Sequence, residues 1–436
     1  MPTFTGTNAA EIITPSQVSA TVTRDPAGGY PSDVFDVINA GGGNDIVSGG
    51  AGNDSVILGE GDDLYIWNLG DQNDTVEGGN GADTVQATGT QGGDTFEVYS
   101  QGGYAKIAAA GGTLSAQNTE HIKVFAFGGA DRIDVASMSG TTIQRIDIDL
   151  GGTVSGPPDD AQDDVFVSGS NGNDIIALTR DGDSLRIAGL AAEVSVRGSD
   201  VADKLSLSGG IGDDRIDASA APSDLMQIQI HGGDGDDDVT GSAVADWLWG
   251  DADDDALYAG AGDDHVFGGS GNDHIEGGEG SDSLDGSAGD DLILGGGGDD
   301  ALFGSEGNDV IEGGAGRDAL VGNLGNDVLK GGGGADQFIF TEIDLGTSGV
   351  DKIRDFKPGK DSIAFDLLVE IGTEVDKGEF VIGKKAKDAD DHLIYNKKTG
   401  MLSFDTDGKG GEDAFAFAKL KKHLDMSHKD FDVLMS

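Results

Sequence analysis

The chain has no cysteine, only 8 prolines in 436 residues, 6% aromatic residues, and 27 basic residues against 80 acidic ones. Without cysteine there is no disulfide framework, thiolate metal site or thiol catalysis. So little proline, with no Gly-X-Y period, excludes collagen despite 76 glycines. The shortage of basic residues leaves a formal net charge of −53. Nucleic acid, anionic membrane and acidic polymers are therefore poor partners until something neutralises the chain. A cation is the partner this composition calls for. No run approaches the ~18 apolar residues of a membrane span. Met1–Ala20 has neither a basic n-region nor an apolar h-region, so no Sec-type signal is expected.

What is present is a period of nine. Residues 232–339 divide into twelve uninterrupted nonapeptides of the form G-G-x-G-x-D-x-U-x, with U a large apolar residue. Disorder would not require such spacing. The sixth position holds Asp237, Asp246, Asp255, Asp264, Asp273, Asp282, Asp291, Asp300, Asp309, Asp318, Asp327 and Asp336. Two residues later come Val239, Leu248, Leu257, Val266, Ile275, Leu284, Ile293, Leu302, Ile311, Leu320, Leu329 and Phe338. The expected fold is all-β: a parallel β-roll or β-helix solenoid in which six residues turn, three form a strand, and two nonapeptides make one coil. One apolar residue per strand buries a core only against stacked neighbours. Six coils at a strand spacing of about 4.8 Å make a rod segment roughly 29 Å long.

In such a stack each aspartate faces the one eighteen residues on. Paired carboxylates plus main-chain carbonyls suit calcium, a hard cation taking six to eight oxygens in flexible geometry; magnesium needs a stricter octahedron and zinc prefers nitrogen or sulfur. Twelve repeats allow about ten intercalated ions. A single Asp-Gly loop would be read as a solvated turn, but twelve in register favour metal. The expected donors are the sixth-position aspartates other than Asp246, with turn glycines at the first position (Gly268, Gly277, Gly286, Gly295, Gly304, Gly313, Gly322) and the fourth (Gly262, Gly271, Gly280, Gly289, Gly298, Gly307, Gly316, Gly325). Two loops are expected to be weak, because Val244 and Asp253 stand where a fourth-position glycine belongs and positive φ is costly for a side chain. The repeat recurs at Gly49–Asp54, flanked in register by Asp45 and Asp63, so Asp45, Asp54 and Asp63 join the candidates. Offset copies follow at Asp74, Asp83 and Asp94, and Gly6–Thr14 fits loosely with Glu11 in the acidic slot.

Four segments follow from these shifts. Residues 1–97 hold the short array, 98–231 a degenerate duplicated region, 232–340 the regular roll, and 341–436 a separate C-terminal module. Residues 89–108 align with 169–188 at an offset of 80, and Asp131–Asp134 recurs as Asp214–Asp217. This reads as irregular solenoid; a β-sandwich is the alternative. Residues 341–436 carry 20 acidic and 15 basic residues, a net of −5 against −48 for the first 340. Strands are expected at Asp361–Leu367 and Leu393–Tyr395, a turn at Lys398–Gly400, and a weak helix around Phe415–Leu424.

These repeats resemble the RTX (repeats-in-toxin) family of calcium-binding secreted bacterial proteins. The segments Asp351–Phe356, Gly359–Ile363, Leu393–Leu420 and Asp430–Leu434 are similar to the region after the repeats in RTX exoproteins. The resemblance implies a β-roll that folds on calcium, and a C-terminal module read by a type I exporter, placing the protein outside the cell or at its surface. It leaves extracellular or cell-surface polysaccharide as a partner, with no nucleic acid and no membrane span. Enzyme signals are weak. No His-Glu pair starts an HExxH motif and no serine sits in G-x-S-x-G. His265 and His274 fall on opposite sides of the roll. Trp247 and Trp249 are read as capping the array, with sugar stacking as the alternative. The lead expectation is therefore a non-enzymatic surface, matrix or host-interaction protein. The alternative is a β-helical polysaccharide lyase or epimerase, although residues 89–231 show no clustered Lys, Arg, His and Tyr.

Overall fold

The computed structural model describes residues 2–25, 30–153, 157–159, 161–224, 226–341, 349–366, 375–387, 391–405, 408 and 414–434. Leu367, part of the 402–411 segment and the last two residues lie outside the described set. The chain forms two compact units, Met1–Gln229 and Ile230–Ser436. Among the described residues there is no α-helix, only a one-turn 3₁₀ segment at His428–Asp430. None is long and apolar enough to cross a membrane.

In the second unit each nonapeptide from Trp247 to Gly333 gives one strand, and successive strands alternate between two parallel sheets. Trp247–Ala252 pairs with His265–Ser270, and Ala256–Ala261 with His274–Glu279, so the register step is eighteen residues. The strands are six residues long, not the three the period suggested. Parallel pairing continues from the apolar triplet into the first three turn residues, as in Gly269↔Ser287 and Ser270↔Ala288. The twelve U residues from Val239 to Phe338 are all fully buried. They stack as two columns back to back and form most of the core of the roll.

After Phe340 the stack is closed by phenylalanines. Gln337–Thr341 pairs with Ser362–Asp366, which pairs with Phe431–Val433. Phe417 meets Phe340 edge to face with centroids 4.9 Å apart, and Phe365 stacks on Phe431 at 6.3 Å. The expected helix near Phe415 is instead a strand, Phe415–Lys419, antiparallel to Met401–Phe404. Its alternation of Phe and Ala places Phe417 inward, so core packing overrides the helical tendency of its lysines.

The first unit is also a parallel stack. Val37–Gly42 pairs with Ser55–Glu60 at a step of eighteen, and Ser55–Glu60 with Asp74–Asn80 at a step of twenty. The parallel register overturns the sandwich alternative. The duplication appears as two inserted meanders. Thr95–Gln101, Tyr104–Ala109 and Gly112–Gln117 run antiparallel to one another, and the outer two join the stack in parallel. Eighty residues on, Ile175–Asp181, Ser184–Ala188 and Glu193–Arg197 repeat the arrangement in the other sheet. Gly102 and Gly103, both at positive φ (63° and 83°), make the first tight reversal.

Candidate metal centre

The aspartates form a ladder that carries both a structural and a chemical function. On one edge the amide of Asp255 donates to Oδ1 of Asp273 at 2.9 Å, Asp273 to Asp291 at 2.8 Å, Asp291 to Asp309 at 2.9 Å and Asp309 to Asp327 at 2.8 Å. On the other edge the steps run from Asp264 through Asp282 and Asp300 to Asp318 at 3.0 to 3.1 Å, and on to Asp336 at 3.4 Å. The ladder extends into the C-terminal module, from Asp327 to Asp351 and from Asp336 to Asp361. Asp351 and Asp361 stand outside the period of nine, at steps of 24 and 25, so spacing alone does not reveal them as rungs. One carboxylate oxygen of each aspartate is thus used to hold the next coil in register.

The second oxygen is different. Oδ2 of Asp255, Asp264, Asp273, Asp282, Asp291, Asp300, Asp309, Asp318, Asp327 and Asp336 is buried with no hydrogen-bond partner. An isolated buried carboxylate oxygen is costly. Burial accordingly pushes these carboxyls up: Asp255 to about 8, Asp264 and Asp309 to about 7, Asp273 and Asp291 to about 6, with stacked carboxylates adding to the rise. A bound divalent cation is the group that removes this cost at neutral pH.

The turn around each Oδ2 has no room for a side chain. A Cβ at Gly268 would lie 2.2 Å from Oδ2 of Asp273, and one at Gly289 would lie 1.5 Å from the carbonyl oxygen of Gly271. Gly277, Gly286, Gly295, Gly304, Gly313 and Gly322 crowd their own aspartate in the same way. Gly280, Gly298, Gly307, Gly316 and Gly325 crowd the fourth-position carbonyl below, and Gly262 and Gly271 meet Val244 and Asp253 there. Among the described residues no cluster of three or more His, Cys, Asp or Glu exists. The donors at each turn are one carboxylate oxygen and main-chain carbonyls, an all-oxygen set that fits calcium and does not suit zinc.

Asp246 shows what a closed turn looks like. The amide of Ser242 donates to Asp246 Oδ2 at 2.5 Å, and the Ser242 hydroxyl to Oδ1 at 3.1 Å. Val244 is not at positive φ, so the strain expected there is absent; the turn has another shape and fills its own site. Asp253 does take positive φ (79°), as do Ser287, Ser305 and Asn323 at second positions (73°, 75° and 64°).

The same two turn types divide the first unit. Glu11 and Asp45, Asp45 and Asp63, Asp63 and Asp83, and Asp131 and Asp163 are consecutive rungs at 2.6 to 2.9 Å. Where the second and fourth turn residues are at positive φ, as before Asp45, Asp54, Asp63, Asp83 and Asp131, Oδ2 has no partner. Where they are not, the turn caps itself: Thr90 donates to Asp94, Ser170 to Asp174 and Asp200 to Asp203. Asp83 and Asp131 were missed as sites because the steps to them are not eighteen. The Asp-x-apolar triplet that starts each inward strand, as in Asp131-Arg132-Ile133, was the available signal.

Two further groupings alter the sequence picture. Trp247 and Trp249 do not cap the array; they lie on the outer face beside Leu248. His231, Trp249 and Phe267 stack face to face, with centroids 4.4 and 5.9 Å apart, and Trp247 lies over His265 at 4.2 Å. With their faces covered by one another, these rings present edges and offer a sugar little to stack on. His274 is on the opposite sheet, bonded to Glu276. The middle region does gather basic residues: Lys123, Arg145 and Arg197 line a cavity of about 220 Å³ with Asp147, Asp149 and Ser195. Arg145 pairs with Asp147 at 2.6 Å and Arg197 with Asp149 at 2.7 Å. These residues come from three adjacent strands, which a linear reading does not bring together.

The RTX calcium-binding nonapeptide repeat matches residues 32–65, 69–96 and overlapping windows covering 231–338. No curated protein matches the chain. Among solved structures it is similar to the AlgE6R3 subunit of the Azotobacter vinelandii mannuronan C5-epimerase, at 25% identity over 37% of this chain and 80% of that one, with a TM-score of 0.17. It is also similar to the extracellular lipase LipA of Serratia marcescens, at 14% identity over 80% of this chain and 40% of that one, also with a TM-score of 0.17. The repeat match and the ladder geometry meet in the same residues: the β-roll of this chain is built from RTX-type calcium-binding nonapeptide repeats.

Proposed function

We propose that this is a secreted, non-enzymatic binding protein whose roll folds on extracellular calcium, with about ten ions in residues 232–340 and further ions at Asp45, Asp54, Asp63, Asp83 and Asp131. The observation that carries this reading is the set of buried aspartate Oδ2 atoms without partners, nearly all of them in turns with two left-handed residues. RTX repeats are typical of secreted proteins, which supports an extracellular location. The C-terminal module from about Thr341 serves two roles here, as a cap and as the address of a type I exporter. Fusing residues 341–436 to a slow-folding passenger tests the second role. Export by a host with a matching exporter supports it, and retention of the passenger while the whole protein is exported contradicts it. Native mass spectrometry in calcium tests the ion count.

The cavity at Lys123, Arg145 and Arg197 favours a second reading, a polysaccharide lyase or epimerase. Incubation with uronic-acid polymers separates the two. New double bonds, shortened chains or altered sugar stereochemistry would favour the enzyme; unchanged polymer supports the binding protein.

A further inference from the structure

The C-terminal module locally reverses the acidic character of the chain. Lys352 in one short strand and Lys419 at the end of its neighbour line an open groove of about 530 Å³ together with Arg354, Lys421 and Lys422, which follow those strands. Lys352 and Lys419 are direct register partners across parallel strands, and both are exposed. Like charges placed opposite one another destabilise a sheet. None of the five forms an ion pair among the described residues. One strand away the same problem is solved: Lys330 pairs with Glu312, eighteen residues earlier. A chain with 80 acidic residues has ample means to neutralise five cations, and among the described residues it does not do so at this groove. A local rule broken without compensation in the fold points to a role outside it.

We infer that this groove binds a linear, carboxylate-bearing polysaccharide. Strand neighbours such as Lys352 and Lys419 have backbones about 4.8 Å apart, so the cations of this groove are spaced by a few ångströms. A polyuronate carries one carboxylate per sugar ring, a charge spacing of the same order. Duplex DNA, with a charge about every 1.7 Å of axis, is far denser and is repelled more strongly by the acidic remainder of the chain. Thr399, whose hydroxyl donates to the Asn396 carbonyl and accepts from the Met401 amide, also lines the groove, so the cations are the groups this surface presents. The choice of an extracellular glycan rests on the secreted reading above; the anion-binding character of the groove does not.

The test uses the full-length protein in calcium and a galacturonic-acid hexamer, titrated calorimetrically, with maltohexaose as the neutral control. The expected result is salt-sensitive binding of the hexamer alone. Lys352→Gln combined with Lys419→Gln should lower affinity about tenfold and flatten the salt dependence, while thermal stability stays level or rises because a repulsive pair has been removed. Lys330→Gln should bind as the parent does. The inference is overturned if the parent does not bind, if the double variant binds equally, or if loss of binding comes only with loss of stability. Arg145→Gln abolishing binding would move the site to the other cavity and overturn it too, and tighter binding of a DNA duplex would overturn the glycan. Calcium stoichiometry on the same samples tells a failure of this groove from a failure of the calcium-folded roll.

Discussion

The regular roll and the first unit use the same aspartate ladder with different turns. In the roll, glycine-rich turns leave one oxygen of nearly every aspartate open; in the first unit, Thr90, Ser170 and Asp200 close the turns before Asp94, Asp174 and Asp203. The ladder itself tolerates steps of 18, 20, 32 and 40 residues, as between Asp45 and Asp63, Asp54 and Asp74, Asp131 and Asp163, and Asp163 and Asp203. Register is therefore the business of the aspartate amide and Oδ1, and metal binding the business of the turn. A nonapeptide makes a site only when both are present.

The largest effect should come from filling a turn. Gly289→Val puts a β-branched side chain at positive φ against the Gly271 carbonyl. We expect a loss of about 2–6 kcal/mol, since strain and overpacking contribute about 1–3 kcal/mol each. Gly333→Ala, whose Cβ would meet nothing closer than 3.6 Å, should be close to neutral in calcium-dependent thermal melts. If both variants melt alike, the turn is not the rigid element described.

Next comes the contrast between open and closed turns. Asp291→Asn with Asp309→Asn should remove about two ions and raise the calcium midpoint for folding, whereas Asp246→Asn should leave the ion count unchanged. Equal stoichiometries by calorimetry would erase the distinction. A sharper form is conversion: Ser242→Gly with Val244→Gly should open the Asp246 turn and add about one ion, and Gly260→Ser with Gly262→Val should close the Asp264 turn and remove about one. Unchanged counts in both directions would show that turn conformation does not decide binding.

The smallest effect concerns protons. In the metal-free fold Asp255, Asp264 and Asp273 are raised to about 8, 7 and 6 by burial, above an unfolded value of about 3.9. The folded state thus holds more protons than the unfolded one. The stability of the metal-free roll is fully present below about pH 4 and is lost as pH rises through about 6 to 8. Metal-free protein should accordingly gain β structure on acidification from pH 8 to about 5. A metal-free spectrum that is independent of pH over this window would contradict the burial of these carboxyls.

Much of this was legible from spacing alone. The period of nine gave the roll, the inward column from Val239 to Phe338, the pairing at eighteen and the oxygen chemistry, because each follows from local repetition. Three features were not legible. The strand at Phe415–Lys419 depends on a phenylalanine core assembled from Phe340, Phe365 and Phe431, distant in sequence. The cavity at Lys123, Arg145 and Arg197 joins strands spaced by an inserted meander. The closed turn at Asp246 was singled out for Val244, but Ser242 is what fills it; a serine at the second position looks like a mild change until its amide is seen on the carboxylate.

The claim that calcium at the open aspartates completes the fold is tested most directly by following far-UV circular dichroism and hydrodynamic radius of the full-length protein as calcium is raised from excess chelator to about millimolar. The account predicts an expanded, largely unordered chain in chelator, because a formal charge of −53 and one apolar residue per nonapeptide leave backbone entropy and repulsion unopposed. It predicts a cooperative change to a compact β spectrum on adding calcium. The same spectrum and the same radius with and without calcium would contradict it.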